Sequence, residues 1–169
     1  LQSHGNVTLT GITAYNSVNA VEIRNIYTTP RTVTIKNLYI ASASSLGLDI
    51  STSGAVSLSG VSVNNVTAPS AIMVNNAYGT SGGITIVNSS VNTSSGTGFY
   101  LASNGNVSLT GVYSAKNGGY GIVVDNDDVY VRTITLKDVR VSQTGQEAVD
   151  RIEHRPDQAL GQESVTGLQ

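Results

Sequence analysis

The chain of 169 residues lacks cysteine and tryptophan altogether and contains one phenylalanine and three prolines. The absence of cysteine excludes a disulfide scaffold and fits a bacterial or archaeal surface protein. Only 5% of the residues are aromatic, so the 39% of hydrophobic residues are mostly aliphatic. That supply is enough for a narrow core of stacked Val, Ile and Leu side chains, but it does not suit a broad globular core.

Charge is scarce as well, and it is unevenly placed. Residues 1–124 contain two acidic side chains and four basic ones, whereas residues 125–169 contain nine acidic and five basic side chains. The formal net charge of -2 and the lack of a basic stripe argue against nucleic acid as a partner. The sequence also shows no transmembrane run and no basic amphipathic helix, which argues against membrane insertion.

What the sequence does contain is a repeat. In each copy two apolar residues flank one Ser or Thr, and a Gly, Asn or Asp follows two positions later. Successive copies are separated by 26, 23, 28, 23 and 27 positions. A period of this size in a strand-rich, glycine-rich chain predicts a solenoid. The copies begin at Val7, Val33, Val56, Ile84, Val107 and Ile134.

Each copy predicts one short strand followed by a corner. Residues two apart on a strand point to one face, so the two apolar residues face a core and the Ser or Thr between them faces solvent. This outward row consists of Thr8, Thr34, Ser57, Thr85, Ser108 and Thr135. Gly, Asn and Asp best tolerate left-handed backbone geometry, so we expect a one-residue corner at the last position. The corners fall at Gly11, Asn37, Gly60, Asn88, Gly111 and Asp138.

After each corner the sequence predicts two more strands. An alternating apolar pair follows the corner at once, as in Leu38 and Ile40, and a third apolar segment comes later in the repeat, as in Gly47 to Ile50. Three strands per repeat predict an all-β fold of about six coils. Variable loops, such as Ser42 to Leu46 and Asn75 to Gly82, are expected to absorb the differences in repeat length.

The domain organisation follows from where the repeat stops. We expect one β-helix domain over residues 1–152. Residues 153–169 are polar and charged and are expected to form a C-terminal cap or linker, since the last coil of a solenoid needs a polar cover. The first repeat starts at Gly5, so we expect either that the chain is a fragment or that another copy covers its first coil.

Gly5 to Ile23 and Gly105 to Val124 show the repeat most plainly, with G-N-V-T-L-T-G in the first segment and G-Y-G-I in the second. In these motifs the chain resembles the right-handed parallel β-helix superfamily, the pectate-lyase-like solenoids, and in particular the Asn/Gly/Ser/Thr-rich repeats of bacterial surface proteins. The resemblance spans roughly residues 5 to 152. It implies a right-handed parallel β-helix and leaves the function open, because this fold hosts lyases, hydrolases, adhesins and phage spikes.

Glu22 and Asp49 are candidate catalytic residues, with Arg24 beside them. The resemblance implies that enzymes of this fold place carboxylates and a basic residue on one outer face. The two carboxylates occupy equivalent outward positions on neighbouring coils, so about one strand spacing, roughly 4.8 Å, separates them. That separation suits the carboxylate pair of a retaining glycosidase. The alternative is solvated surface charge, because the equivalent positions of the next three coils are Met73, Tyr100 and Val123.

The acidic run that begins at Asp125 is a candidate calcium site. Asp125, Asp127 and Asp128 supply carboxylates and Asn126 supplies an amide, and oxygen ligands of this kind are those that Ca²⁺ prefers. The alternative is a solvated turn whose backbone geometry is favoured by Asn and Asp. No other metal or cofactor is predicted.

Five N-x-S/T sequons are candidate glycosylation sites, although a chain this rich in Asn, Ser and Thr also contains sequons by chance. They lie at Asn6, Asn65, Asn88, Asn92 and Asn106.

The outward hydroxyl row is suited to organising water, as in ice-binding proteins, but Lys36 and Lys137 interrupt the neighbouring row. Ordinary exposed strand hydroxyls are the alternative. A set of tyrosines that follow the corners is expected to offer a surface for sugar stacking or protein contact; it consists of Tyr15, Tyr39 and Tyr113.

These observations predict a non-enzymatic, extracellular or cell-surface β-solenoid that serves as a building block of a filament, sheath, surface layer or adhesin. Uncovered coil ends favour pairing between copies, so self-association into a homo-oligomer or filament is expected. A glycan is the other expected partner. The alternative function is a carbohydrate-active enzyme, a polysaccharide lyase or glycoside hydrolase, that uses Glu22, Arg24 and Asp49.

Overall fold

The computed structural model describes residues 1–78, 82–126 and 132–146, together with the backbone of residues 149–152 and 164–165. Within these residues the chain forms 15 strands and no helix, and every strand pair is parallel. The predicted all-β parallel solenoid is therefore confirmed. The strands are β1 Val7–Asn25, β2 Val33–Thr52, β3 Val56–Ser59, β4 Ser62–Val66, β5 Ser70–Asn75, β6 Ile84–Val87, β7 Ser90–Ser94, β8 Thr97–Ala102, β9 Val107–Thr110, β10 Tyr113–Asn117, β11 Ile122–Asp125, β12 Ile134–Lys137, β13 Arg140–Thr144, β14 Val149–Ile152 and β15 Ser164–Val165.

Each turn of the solenoid has three faces. The first face holds β3, β6, β9 and β12, the second holds β4, β7, β10 and β13, and the third holds β5, β8, β11 and β14. β1 and β2 each run through all three faces of one turn. The solenoid has about five turns, not the six coils predicted. The last predicted coil is the least regular one, since the pairing of β14 with β11 contains a shift in register.

Equivalent residues of successive repeats stack in register along the first face. Val7 pairs with Val33, Val33 pairs with Val56, and the same register continues to the sixth copy at Ile134. The outward row that begins at Thr8 stacks in the same way, and none of its six members is buried. The predicted inward and outward directions of these strands are confirmed.

The corners form two columns of left-handed residues. All six predicted corners have positive φ, from 47° at Asn88 to 66° at Gly11, so the chain changes direction there within one residue. A second column, which sequence analysis did not identify, lies one residue before the end of each second-face segment. It consists of Asn16, Ser42, Asn65, Thr93, Lys116 and Gln143. Four of these six are residue types with no special tolerance of positive φ, so composition did not indicate them.

The core is a narrow stack of aliphatic side chains, one column from each inward position. Phe99, the single phenylalanine, is fully buried in the third-face column between Ile72 and Ile122. Aliphatic residues from all three faces meet in one continuous cluster. The composition therefore predicted the kind of core correctly.

Long and short corners alternate where the third face returns to the first. Ten positions separate Ile23 from Val33, Val74 from Ile84 and Val124 from Ile134, whereas six positions separate Ile50 from Val56 and Leu101 from Val107. These residues all stack in register, so the loop lengths account for most of the alternation in repeat spacing. The structural unit is two turns. The segment Ser42 to Leu46, predicted as a variable loop, lies inside the continuous strand β2 and is not a loop, but β2 has one residue more than β1 there and the pairing shifts register.

The C-terminal segment is described only in part. β15 pairs in parallel with β12 and continues the first face beyond the last turn. The cap or linker predicted over residues 153–169 lies largely outside the described residues. Its existence, and a domain boundary at residue 152, stay predictions.

Candidate functional site

The third face carries the candidate catalytic residues in two outward columns. The first column consists of Glu22, Asp49, Met73, Tyr100 and Val123. The second column consists of Arg24, Ser51, Asn75, Ala102 and Asp125. Register therefore places Glu22 and Asp49 on adjacent strands of neighbouring turns.

Arg24 forms an ion pair with Glu22. The guanidinium donates a hydrogen bond from Nε to Oε1 of Glu22 at 2.8 Å, and the two side chains are 61% and 36% exposed. The hydrogen bond and the negative charge of Glu22 raise the pKa of Arg24. Because both groups remain largely in water, the pair adds little to stability. Its effect is to hold the basic group against the first carboxylate of the column.

Asp49 has a different environment from that of Glu22. Its side chain is half-buried, and its Oδ1 atom is buried without a hydrogen-bond partner among the described residues. Burial, reinforced by the charge of Glu22, raises the pKa of Asp49, while Arg24 acts in the opposite direction. Two neighbouring carboxyl groups in unlike environments are the arrangement that acid and base catalysis requires.

The carboxylate pair is confined to the first two turns. Met73 follows Asp49 in the column, and the hydroxyl of Tyr100 then donates a hydrogen bond to Oδ2 of Asp125 at 3.0 Å. Burial, together with this hydrogen bond, raises the pKa of Tyr100. The next three positions of this column hold no carboxylate, and the next acidic residue is Asp150 of β14, which pairs with Val123.

The structure describes one of the three candidate calcium ligands. Asp125 accepts the hydrogen bond from Tyr100, and Nδ2 of Asn126 donates to the carbonyl oxygen of Gly105 at 3.4 Å. Asp127 and Asp128 lie outside the described residues. No group of three or more His, Asp or Glu side chains able to hold a metal occurs among the residues that are described. The calcium site stays a prediction.

Two of the candidate glycosylation sites occupy equivalent positions just before first-face strands. Asn6 and Asn106 are exposed, and their Oδ1 atoms accept hydrogen bonds from the backbone N–H groups of Thr32 and Thr133 at 3.1 and 3.0 Å. The amide nitrogen, to which a glycan would attach, is not the atom used in these bonds. Both sites are therefore presented outward at the start of a strand.

The other three sequons are less alike. Asn65 and Asn88 are exposed left-handed residues with φ of 53° and 47°, whereas Asn92 is half-buried on β7. Glycosylation stays a prediction at all five positions.

The first and second faces present different surfaces. On the first face the hydroxyl row beginning at Thr8 is flanked by a row that includes Lys36, Val87 and Lys137, so the hydroxyl array is one row wide. The second face carries the predicted tyrosines, all three of which are exposed. The rings of Tyr15 and Tyr39 meet edge to face with centroids 5.7 Å apart. Tyr113 lies three strands further along the column of Tyr39, beyond two serines.

The first turn has an uncovered side. β1 pairs with β2 on one side, and on the other side the described residues provide only a bridge between Gln2 and Arg24. Ile12 is 36% exposed, although Leu38, its partner in the next turn, is 1% exposed. This side therefore combines an open strand edge with Ile12, an apolar side chain whose partner in the next turn is a core residue.

A buried polar column supports the third corner, and sequence analysis missed it. It consists of Asn25, Thr52, Asn76, Ser103 and Asn126, in which an amide and a hydroxyl alternate; all are buried except Asn126, which is half-buried. At a long corner Nδ2 of Asn76 donates to the carbonyl oxygen of Gly82 at 2.7 Å. At a short corner Oγ of Ser103 donates to the carbonyl oxygen of Gly105 at 3.2 Å and accepts from its N–H at 3.0 Å. In the sequence, this column could have been recognised at each short corner by a Ser or Thr two residues before a Gly.

Comparison with models of known protein families, with curated proteins and with solved structures found no significant match to this chain. The parallel β-solenoid is shown by the structure. Membership of the pectate-lyase-like superfamily, and likeness to bacterial surface repeats, stay predictions. Among the described residues there is no helix that would cross a bilayer.

Proposed function

We propose that this chain is a non-enzymatic structural module of an extracellular or cell-surface assembly, a β-solenoid that associates through its coil ends. The uncovered side of the first turn is the observation that carries the proposal, because it exposes a strand edge together with Ile12. Open strand edges pair readily with further strands.

The construction of the rod supports a structural role. On the first face about five turns stack in one continuous register, and each inner turn is held by its neighbours on both sides, as in other solenoids. The outer faces are rich in hydroxyl and amide groups, and residues 1–124 carry only six charged side chains. An extracellular location is proposed from this surface and from the five sequons it includes.

Light scattering over a range of concentrations, with negative-stain electron microscopy of the same samples, tests the assembly. We expect particles that lengthen with concentration. The variant Ile12→Lys should remain monomeric, because it places a charge on the uncovered side. Ser57→Lys adds a charge to an exposed position of the first face and is the matched control. A parent chain that stays monomeric at every concentration, or an edge variant that assembles like the parent, would contradict the proposal.

A carbohydrate-active enzyme is the second candidate, and the unlike environments of Glu22 and Asp49 favour it. The half-buried Asp49 would act as the acid, and Glu22, which is paired with Arg24, would be the second carboxyl group. The test is turnover of acidic and neutral polysaccharides by the parent and by Glu22→Gln and Asp49→Asn, with Ser57→Lys as the control. Turnover that both carboxylate variants lose and the control keeps would establish the enzyme. No turnover by the parent would end this alternative.

A further inference from the structure

Two copies of the repeat carry a pair of basic residues around their first-face strand. The sequence R-T-V-T-I-K occupies residues 31–36, and R-T-I-T-L-K occupies residues 132–137. The other four copies have Gly in place of the Arg, and Thr, Ser or Val in place of the Lys. Arg31, Lys36 and Lys137 are exposed, as is the acidic Asp138 at the corner after Lys137. The first face is therefore basic in its second and sixth copies and uncharged between them.

The register fixes the distance between the two basic positions. Lys36 pairs with Ser59, and the same outward column continues through Val87 and Thr110 to Lys137. Four strand spacings therefore separate the two lysines, which is roughly 19 Å along the rod. Both lie on turns whose strands are paired within the stack, so this surface does not depend on the coil ends.

The third face carries the opposite charge. Glu22, Asp49 and Asp125 lie in its outward columns, together with Arg24. Arg24 is paired with Glu22, whereas the hydrogen bond that Asp125 accepts comes from the neutral hydroxyl of Tyr100. Three strand spacings, roughly 14 Å, separate Asp49 from Asp125. The flexible stem of a lysine spans the difference of one strand spacing, so two lysines of the first face can reach both carboxylates.

We propose that the first face of one chain binds the third face of a second copy, so that solenoids associate side by side. The complementary charges of the two faces identify this occupant, because Lys36 and Lys137 would meet carboxylates spaced to receive them. Each chain presents both faces, so the contact is heterologous and extends into rows. The inference rests on the proposed role in assembly, and it adds a lateral contact and the chemistry of that contact.

The size of the two faces predicts that a single contact is weak. Six stacked strands of about four residues cover roughly 25 Å by 13 Å, or about 300 Å² on each copy. A stable pair of proteins buries considerably more surface than that. The association should therefore depend on the charges and should be strongest at low salt.

Sedimentation equilibrium of the Ile12→Lys chain tests the lateral contact while the coil ends are blocked. At about 500 mM salt the charges are screened, and this chain should be monomeric. At about 20 mM salt it should associate, with an affinity at least about tenfold higher than at the higher salt. The coil-end test described above belongs at the higher salt, so the two contacts are measured separately.

An exchange of charges between the faces identifies them as the partners. In the same background, Lys36→Glu with Lys137→Glu should abolish association at low salt, and so should Asp49→Lys with Asp125→Lys. A mixture of these two variants should associate again, because the acidic first face of one meets the basic third face of the other. Circular dichroism shows whether each variant is folded. The milder pair Asp49→Asn and Asp125→Asn should weaken association about tenfold, and it replaces the lysine pair if that pair does not fold.

Lys116→Glu with Arg140→Glu is the matched control, since it reverses two exposed basic residues of the second-face strands and changes the net charge equally. This variant should associate as the Ile12→Lys chain does. The proposal is overturned if the control also loses association, if the mixture of folded variants stays monomeric, or if the Ile12→Lys chain is monomeric at low salt. First-face binding of added polygalacturonate by such a monomeric chain would assign the basic residues to an anionic polymer instead. Each contact can fail without the other, because coil-end assembly is decided at high salt.

Discussion

At the first corner, the residue type alternates from one turn to the next. The left-handed column alternates between glycine and a residue with a side chain, from Gly11 to Asp138. A Cβ added at Gly60 would lie 2.9 Å from Oδ1 of Asn37, and one added at Gly111 would lie 2.6 Å from Oδ1 of Asn88. Each Asn side chain therefore occupies the space that the next glycine leaves free. The residue types in this column therefore repeat every two turns.

Asp49→Asn is expected to raise the free energy of unfolding at pH 7. The pKa of Asp49 is raised in the folded chain by burial and by Glu22, so the folded state binds this proton more tightly than the unfolded state does. Stability is therefore lost as the pH rises through the raised pKa and is recovered as the pH falls. Because Asp49 is partly exposed, we expect a gain of about 0.5 kcal/mol.

Urea denaturation of the parent and of Asp49→Asn at two pH values checks this sign. The difference between the two chains should be present at pH 7 and should vanish near about pH 3, where Asp49 of the parent is protonated. A variant that is less stable at pH 7 would show that the ionised carboxylate stabilises the fold.

Gly105→Ala is expected to be far more destabilising than Gly5→Ala, although the two glycines belong to the same corner motif. A Cβ at Gly105 would lie 2.1 Å from the carbonyl oxygen of Gly82, whereas a Cβ at Gly5 would meet only Oγ of Ser3 at 4.0 Å. We expect a loss of about 3 kcal/mol for Gly105→Ala and less than about 0.5 kcal/mol for Gly5→Ala. Chemical denaturation measures both, and equal losses would contradict the close stacking of these corners.

At the scale of elements, each short strand works as a two-sided unit. β9 lies between β6 and β12, its Val107 and Leu109 side chains are fully buried, and Ser108 points outward between them. The strand contributes to stability through its inner face and to the surface through its outer face. Apolar and polar residues therefore alternate along the repeat because their side chains point alternately to the core and to the solvent.

Val107→Asp and Ser108→Asp therefore form a matched pair on β9. The first substitution buries a charge without a partner and is expected to cost about 4 kcal/mol or to prevent folding. The second places the same charge in solvent and is expected to change stability by less than about 0.5 kcal/mol. Circular dichroism with urea denaturation measures the difference. Similar effects at both positions would show that the assigned faces are incorrect.

At the scale of the whole molecule, the two-turn unit sets which turns can be neighbours. Long corners begin at Asn25, Asn76 and Asn126, and each is separated from the next by a short corner. The stacking of short corners on long ones keeps amide and hydroxyl side chains alternating in the polar column. A single turn is therefore not an independent unit of this rod.

Deletion of residues 56–106, two turns, is expected to be better tolerated than deletion of residues 33–55, one turn. The larger deletion keeps the alternation of corners, whereas the smaller one stacks the long corner after Asn25 directly on the long corner after Asn76. We expect the one-turn deletion to have the lower thermal midpoint, by at least about 4 °C, although its chain is longer. Calorimetry checks the order. A midpoint that simply follows chain length would contradict the two-turn unit.

The sequence alone determined the inward faces, the register of the repeats and the first corners, because these depend on local alternation and on residue types that tolerate positive φ. It also placed Glu22 beside Asp49, since register can be counted from the repeat. Only the tertiary structure decided the second corners, such as Lys116, where stacking between turns overrides residue preference. It also decided the burial that raises the pKa of Asp49 and the hydrogen bond from Tyr100 to Asp125. Those contacts join residues of different turns, so they form only when the solenoid has folded.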